Sequence, residues 1–160
     1  MKRRVYVETS VISYLAARPS KTIIGAAHQQ ITSAWWDQRG GYDLFVSELV
    51  LRECAAGDSS AAQRRLEIVE SIPLLVATEE SYKLAESFLR KRIIPVKAAE
   101  DSLHIAIAIS HSVDYLLTWN CKHIANPELQ RRIMDYLSEQ GQFLPFICTP
   151  EELLGEEDGN

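Results

Sequence analysis

Long apolar runs, paired cysteines and an excess of basic charge are all missing from this 160-residue sequence, and each absence removes a class of protein. The longest purely apolar stretches are a few residues, far below the ~20 that a membrane-spanning helix needs, so no membrane association is expected. The start, Met1-Lys2-Arg3-Arg4, is basic as in a secretory signal, but Glu8, Thr9 and Ser10 cut the apolar segment that follows. No small-residue cleavage pattern comes after it, so a cytoplasmic location is expected. The cysteines (Cys54, Cys121 and Cys148) are three in number and form no C-x-x-C pair, which suits reduced thiols and argues against a disulfide framework. The formal net charge is −5, yet Glu151, Glu152, Glu156, Glu157 and Asp158 alone supply that amount, and residues 1–150 are formally neutral. A nucleic-acid binder built on a broad basic patch is therefore not indicated. Acids gathered in one metal site would, however, mask basic residues elsewhere.

What remains is ordinary globular composition, 46% hydrophobic and 24% charged. The length fits one domain with a proper core, taken as residues 1–154. Residues 155–160 form an acidic tail whose composition favours disorder. No internal repeat or low-complexity linker divides the chain.

The organising stretch is Arg4-Val5-Tyr6-Val7-Glu8-Thr9-Ser10-Val11-Ile12. Val5, Tyr6 and Val7 favour a strand, and Thr9 or Ser10 is a natural N-cap for the helix expected over Val11 to Ala17. Glu8 then stands at the carboxyl end of a strand, beside a helix N-terminus. A second helix is expected over Lys21 to Gln38, a strand over Tyr42 to Ser47, a helix from Glu48 to Ala56 capped by Ser47, and another from Ala61 to Ser71 opened by Ser59 and Ser60. Pro73 to Ala77 has strand length. Thr78 and Ser81 make a capping-box-like start to a helix reaching about Lys91. Ala98 to His111 reads as the strongest internal helix, Tyr115 to Trp119 as a strand, Pro127 to Glu139 as a helix ended by Gly141, and Phe143 to Cys148 as a last strand. Thr149-Pro150-Glu151-Glu152 opens a terminal helical turn. Strands separated by helices throughout imply a three-layer α/β/α sandwich around a central parallel sheet of 4–5 strands.

In such sheets, ligands bind outside the carboxyl ends of the strands. Glu8 ends the first strand, Glu53 lies about two turns into the helix after the second, Asp101 sits in the first turn of helix 98–111, and Asn120 follows the strand Tyr115–Trp119. Two glutamates, an aspartate and an amide are oxygen donors that suit Mg²⁺ or Mn²⁺ rather than zinc. A site of this kind can activate water and stabilise an in-line phosphoryl displacement.

The stretches Val5-Tyr6-Val7-Glu8-Thr9-Ser10-Val11-Ile12, Val46-Ser47-Glu48-Leu49-Val50-Leu51-Arg52-Glu53, Glu100-Asp101-Ser102-Leu103-His104-Ile105-Ala106 and Asp114-Tyr115-Leu116-Leu117-Thr118-Trp119-Asn120 together resemble the PIN-domain family, in particular the VapC-type ribonuclease toxins of VapBC toxin–antitoxin pairs. The resemblance spans about residues 4 to 125. It implies a PIN-like fold, one or two Mg²⁺ or Mn²⁺ ions held by Glu8, Glu53 and Asp101, and Asn120 positioning metal or water. It implies an RNA substrate, a small antitoxin partner and homodimerisation. The sequence departs from the family in two places: Glu8 stands where aspartate is usual, and Asn120 where many relatives carry aspartate.

Other polar residues have plainer readings. Glu48 competes with Glu53 but lies nearer the strand end. Glu100 points about 100° away from Asp101 around the helix, as a surface or supporting charge. His104 lies on the same face as Asp101 and, in an apolar helix, reads as packed or hydrogen-bonded core. Lys122 and His123 form a loop that a phosphate backbone could approach. Trp35, Trp36 and Trp119 read as core or interface, with base stacking the minority reading. No Cys–His–Asn arrangement marks a thiol nucleophile, and no D-x-D follows the first strand. The sequence thus indicates a metal-dependent ribonuclease using Glu8, Glu53, Asp101 and Asn120, against the alternative of a non-catalytic PIN-like module that binds RNA or protein through a decayed site.

Overall fold

The computed structural model describes residues 1–155, so the acidic tail expected over 155–160 lies, except for Gly155, outside the described residues. The chain forms β1 (Arg3–Val7), α1 (Thr9–Ala16), α2 (Ile23–Asp37), β2 (Tyr42–Ser47), α3 (Glu48–Cys54), α4 (Ser59–Val69), β3 (Leu74–Leu75), α5 (Glu79–Arg90), α6 (Ala99–Ser110), β4 (Tyr115–Leu117), α7 (Pro127–Glu139), β5 (Phe146–Cys148) and α8 (Pro150–Leu153). The sheet has five strands in the order β3-β2-β1-β4-β5. Every pairing is parallel, so the expected α/β architecture is the observed one.

Strand order grows from β1 in one direction through β2 and β3, then in the other through β4 and β5. The reversal places a crevice between the carboxyl ends of β1 and β4, where neighbouring crossovers leave to opposite faces. Val7 pairs with Leu117 at that edge, and the Glu8 amide donates to the Leu117 carbonyl at 3.0 Å. Val5, Tyr6, Val7, Leu116 and Leu117 are fully buried, as central parallel strands covered on both faces must be. On the helical side α1 packs against α2, α3 and α4, while α5 packs on α6. Trp35, Phe88, Ile105, Ile107 and Ile133 fill the space between layers.

Some boundaries depart from the sequence reading, for local reasons. The run 73–77 pairs only at Leu74 and Leu75. It is an edge strand headed by Pro73, which has no amide to give, although the Pro73 carbonyl accepts from Val46 N at 3.0 Å. The strand expected over 143–148 ladders only from Phe146, and the strand expected to reach Trp119 stops at Leu117. Asp58, not Ser59 or Ser60, caps α4 by accepting from Ala61 N. The capping box of Thr78 and Ser81 forms as expected. Gly57 and Gly141 follow their helices at φ +81° and +68°, the left-handed conformation that lacks a Cβ penalty only for glycine.

Candidate metal centre

The crevice at the β1/β4 edge is lined from the first residue beyond β1. Glu8 is itself the N-cap of α1, in place of Thr9 or Ser10. Its Oε2 accepts from Ser10 N at 3.0 Å, and its Oε1 accepts from Ser10 Oγ at 2.6 Å and from Thr118 Oγ1 at 2.5 Å. The Glu8 carboxylate folds back over the helix start. There it meets an unpaired amide and the positive end of the dipole. Glu8 is 6% exposed, which such a charge tolerates because these donors replace water.

Thr118 holds the other side. Its hydroxyl donates to Glu8 and accepts from Asn120 N at 2.9 Å, and Trp119 N donates to Ser10 Oγ at 2.8 Å. The chain leaving β4 is thereby tied to the start of α1. Substitution of Thr118 by valine keeps the shape but leaves the Asn120 amide and a Glu8 lone pair without partners. A loss of roughly 1–3 kcal/mol is expected, read as a lower urea midpoint at unchanged slope. An unchanged midpoint would show that water replaces the hydroxyl without loss.

Glu53 comes from the last turn of α3, on the side facing α1, whereas Glu48 is exposed. Its Oε1 accepts from Thr9 Oγ1 at 2.5 Å and from His104 Nε2 at 2.7 Å. Burial alone would raise the Glu53 carboxyl, but the hydrogen bonds it accepts from His104 and from the Thr9 hydroxyl hold it below the ordinary carboxylate range. Glu100, in the first turn of α6, is exposed, in keeping with the surface charge expected of it.

Asp101 and His104 share one face of α6, and α6 enters the crevice with its N-terminus. The Asp101 carboxyl is pushed above its ordinary value chiefly by burial, then by the Glu8 charge, against the pull of His123 and the Asn120 amide. His123 Nδ1 lies 3.4 Å from Asp101 Oδ2, and Asn120 Oδ1 accepts from His123 N at 3.0 Å. At this edge Glu8 and Glu53 thus lie close together, and Asp101 and Asn120 lie together beside His123. Glu53 and Asp101 are brought there by helices that do not directly follow β1 or β4.

His104 is the residue whose contribution the sequence hid. It is fully buried, as a core histidine in an apolar helix should be, yet both ring nitrogens are engaged: Nδ1 lies 2.7 Å from Tyr6 Oη and Nε2 meets Glu53. Ligand atoms offered by Glu8, Glu53 and His104 all lie within 4.8 Å of one another, a spacing that could hold a cation. Both donors to Glu53 fall on Oε1, so its Oε2 and the oxygens of Glu8 are donors of the kind hard divalent ions take, while Asp101 stands outside that 4.8 Å group.

The other candidates are structural. Trp119 stacks on His28 with centroids 4.0 Å apart and donates to Thr32 Oγ1 at 2.8 Å, tying β4 to α2. Trp35 is fully buried and Trp36 half-buried. All three cysteines are free thiols, and burial pushes Cys54 up to about 11 and Cys148 up to about 12, the wrong direction for a nucleophile.

No protein-family model matches the chain, and no curated protein matches it by sequence. In fold it is similar to a chain of VapBC2 from Rickettsia felis, in a crystal structure bound to a DNA fragment from their promoter. The TM-score is 0.57 at 13% sequence identity, covering 91% of this chain and 98% of that one. The PIN-like α/β fold expected from the sequence is therefore the fold observed. At that identity the likeness concerns the backbone, and the chemistry rests on the side chains described above.

Proposed function

We propose that this protein is a divalent-metal-dependent ribonuclease that hydrolyses RNA phosphodiester bonds, and that it is the toxin of a toxin–antitoxin pair. The observation that carries the reading is the closeness of the Glu8 and Glu53 carboxylates at the strand-order reversal of a PIN-like sheet, with Asp101 near enough to feel the Glu8 charge. Glu8, Glu53 and Asp101 would hold Mg²⁺ or Mn²⁺. A divalent ion so held supplies Lewis acidity that activates water and offsets charge building on the phosphorus oxygens. The chain's own residues prepare that place. Ser10 and Thr118 fix the Glu8 carboxylate, Thr9 and His104 fix Glu53, and Asn120 with His123 holds Asp101. Fixing the carboxylates beforehand removes reorganisation from the reaction.

The toxin assignment draws on the likeness to VapBC2, and a small antitoxin is the proposed partner. Ile23 and Ile24 at the start of α2 are 90% and 71% exposed, an apolar edge that supports contact with an antitoxin or a second copy. Among the described residues no helix is long and apolar enough to cross a membrane, in keeping with the proposed cytoplasmic setting.

The second reading, a non-catalytic module, has one observation in its favour: the Glu8 carboxylate already satisfies a helix cap and a buried hydroxyl, and a purely structural role would ask no more of it. Cleavage of a mixed panel of structured RNAs separates the two. The purified protein is expected to cut with Mn²⁺ or Mg²⁺ and to stop with chelator. Absence of cutting, together with no change in melting temperature on adding either ion, would favour the non-catalytic module.

A further inference from the structure

Four side chains form a buried line running from the second strand to the crevice. Ser47 Oγ accepts from Val50 N at 3.3 Å as the cap of α3. Tyr6 Oη lies 2.7 Å from Ser47 Oγ and 2.7 Å from His104 Nδ1, and His104 Nε2 lies 2.7 Å from Glu53 Oε1. Tyr6, Ser47 and His104 are buried to within 1% exposure, so water cannot repair a mismatched donor or acceptor along the line.

Only one assignment of hydrogens satisfies every atom. With Ser47 donating to Tyr6 and Tyr6 donating to His104 Nδ1, the imidazole carries its hydrogen on Nε2 and donates it to Glu53. In the opposite neutral tautomer Nδ1 would donate to Tyr6, and a bare Nε2 lone pair would face a carboxylate oxygen at hydrogen-bond distance. With both ring nitrogens protonated, Tyr6 would have to donate to Ser47, whose own hydrogen would then have no acceptor among these partners. Burial also pushes the Tyr6 phenol far above its ordinary value, so it remains a hydrogen donor.

We infer that Tyr6 sets the tautomer of His104, and that His104 is a positioning residue that presents Glu53 to the cation instead of a ligand to it. Proximity groups His104 with Glu8 and Glu53, but neither ring nitrogen has a lone pair to offer: Nδ1 accepts from Tyr6 and Nε2 carries the hydrogen. Selectivity follows from this. An imidazole ligand would favour zinc and other nitrogen-seeking ions, whereas its withdrawal leaves the oxygen set that Mg²⁺ and Mn²⁺ prefer. The tautomer stands on the hydrogen-bond line alone, and its consequence for metal choice rests on the proposed metal site.

The test is the ¹⁵N spectrum of the histidine rings in the metal-free protein, repeated with Mg²⁺ and in Tyr6→Phe. The wild type is expected to show His104 protonated on Nε2 alone, and to keep that signature when Mg²⁺ is added. Tyr6→Phe, which retains the ring but loses the donor, is expected to lose that single signature and to bind Mg²⁺ about 10-fold more weakly, measured by calorimetry. A wild-type ring protonated on Nδ1, or one that loses its Nε2 hydrogen on Mg²⁺ binding, would overturn the inference without need of the variant. A folded Tyr6→Phe with an unchanged ring signature would remove Tyr6 from the role. Should the wild type keep the Nε2 hydrogen yet bind no Mg²⁺ and cut no RNA, the ribonuclease reading fails while the tautomer assignment stands.

Discussion

Asp101→Asn is expected to abolish ion-dependent RNA cleavage, by at least about 10²–10³-fold, while leaving the metal-free protein as stable as the wild type or more so. Asparagine keeps the shape and removes the charge. In the folded protein the Asp101 carboxyl is raised by burial and by Glu8. A carboxyl raised on folding adds stability below its unfolded value and loses that contribution as pH rises through its folded value. At neutral pH the ionised side chain therefore opposes folding, and neutralising it relieves that opposition. The same repulsion between Glu8 and Asp101 is what a bound divalent ion would relieve. An ion present at 100 times its dissociation constant adds about 2.7 kcal/mol, a rise of roughly 5–10 °C in Tm for a chain of this size. That rise should appear in the wild type with Mn²⁺ and be absent from Asp101→Asn. Cleavage that survives in the folded variant would place the activity elsewhere or in a contaminant.

Phe88→Ala is expected to be the most damaging change away from the crevice, at about 3–5 kcal/mol. Phe88 is fully buried on the face of α5 that meets α6, its ring sits edge-on to Tyr136 at a centroid distance of 5.9 Å, and its carbonyl accepts from both Ile93 N and Ile94 N. The ring fills the junction that seats α6, and removing it opens a cavity that a helix held by its neighbours cannot close. Against a total stability of about 5–15 kcal/mol, much of the margin would go. Urea denaturation gives the measurement. A loss under about 1 kcal/mol would mean that the junction between α5 and its neighbours repacks around the gap.

Much of the fold was legible because its signals are local. Val5, Tyr6 and Val7 form the buried strand their β-branched and aromatic character indicates, and Thr78 with Ser81 forms the capping box its spacing indicates. The edge strands were less legible. Leu74–Leu75 and Phe146–Cys148 are short because pairing, not propensity, sets where an edge strand ends. The N-cap of α1 was misassigned for a related reason. Serine and threonine are the usual caps, and only the fold of the chain at Glu8 shows that a glutamate reaches the Ser10 amide.

By itself the sequence determined the alternation of strands and helices, the parallel sheet that this alternation requires, and the identity of the acids near strand ends and helix starts. These follow from periodicity and propensity, which act over a few residues. Tertiary structure alone decided that β1 and β4 are neighbours across the strand-order reversal, and that Glu53 is met there by Thr9 and His104. It also decided that His104 spends both nitrogens on partners 98 and 51 residues away in the chain. A helical face can be read from spacing, but what stands opposite that face is set by packing. The direction of each hydrogen bond is set in turn by the full line of donors and acceptors that packing assembles.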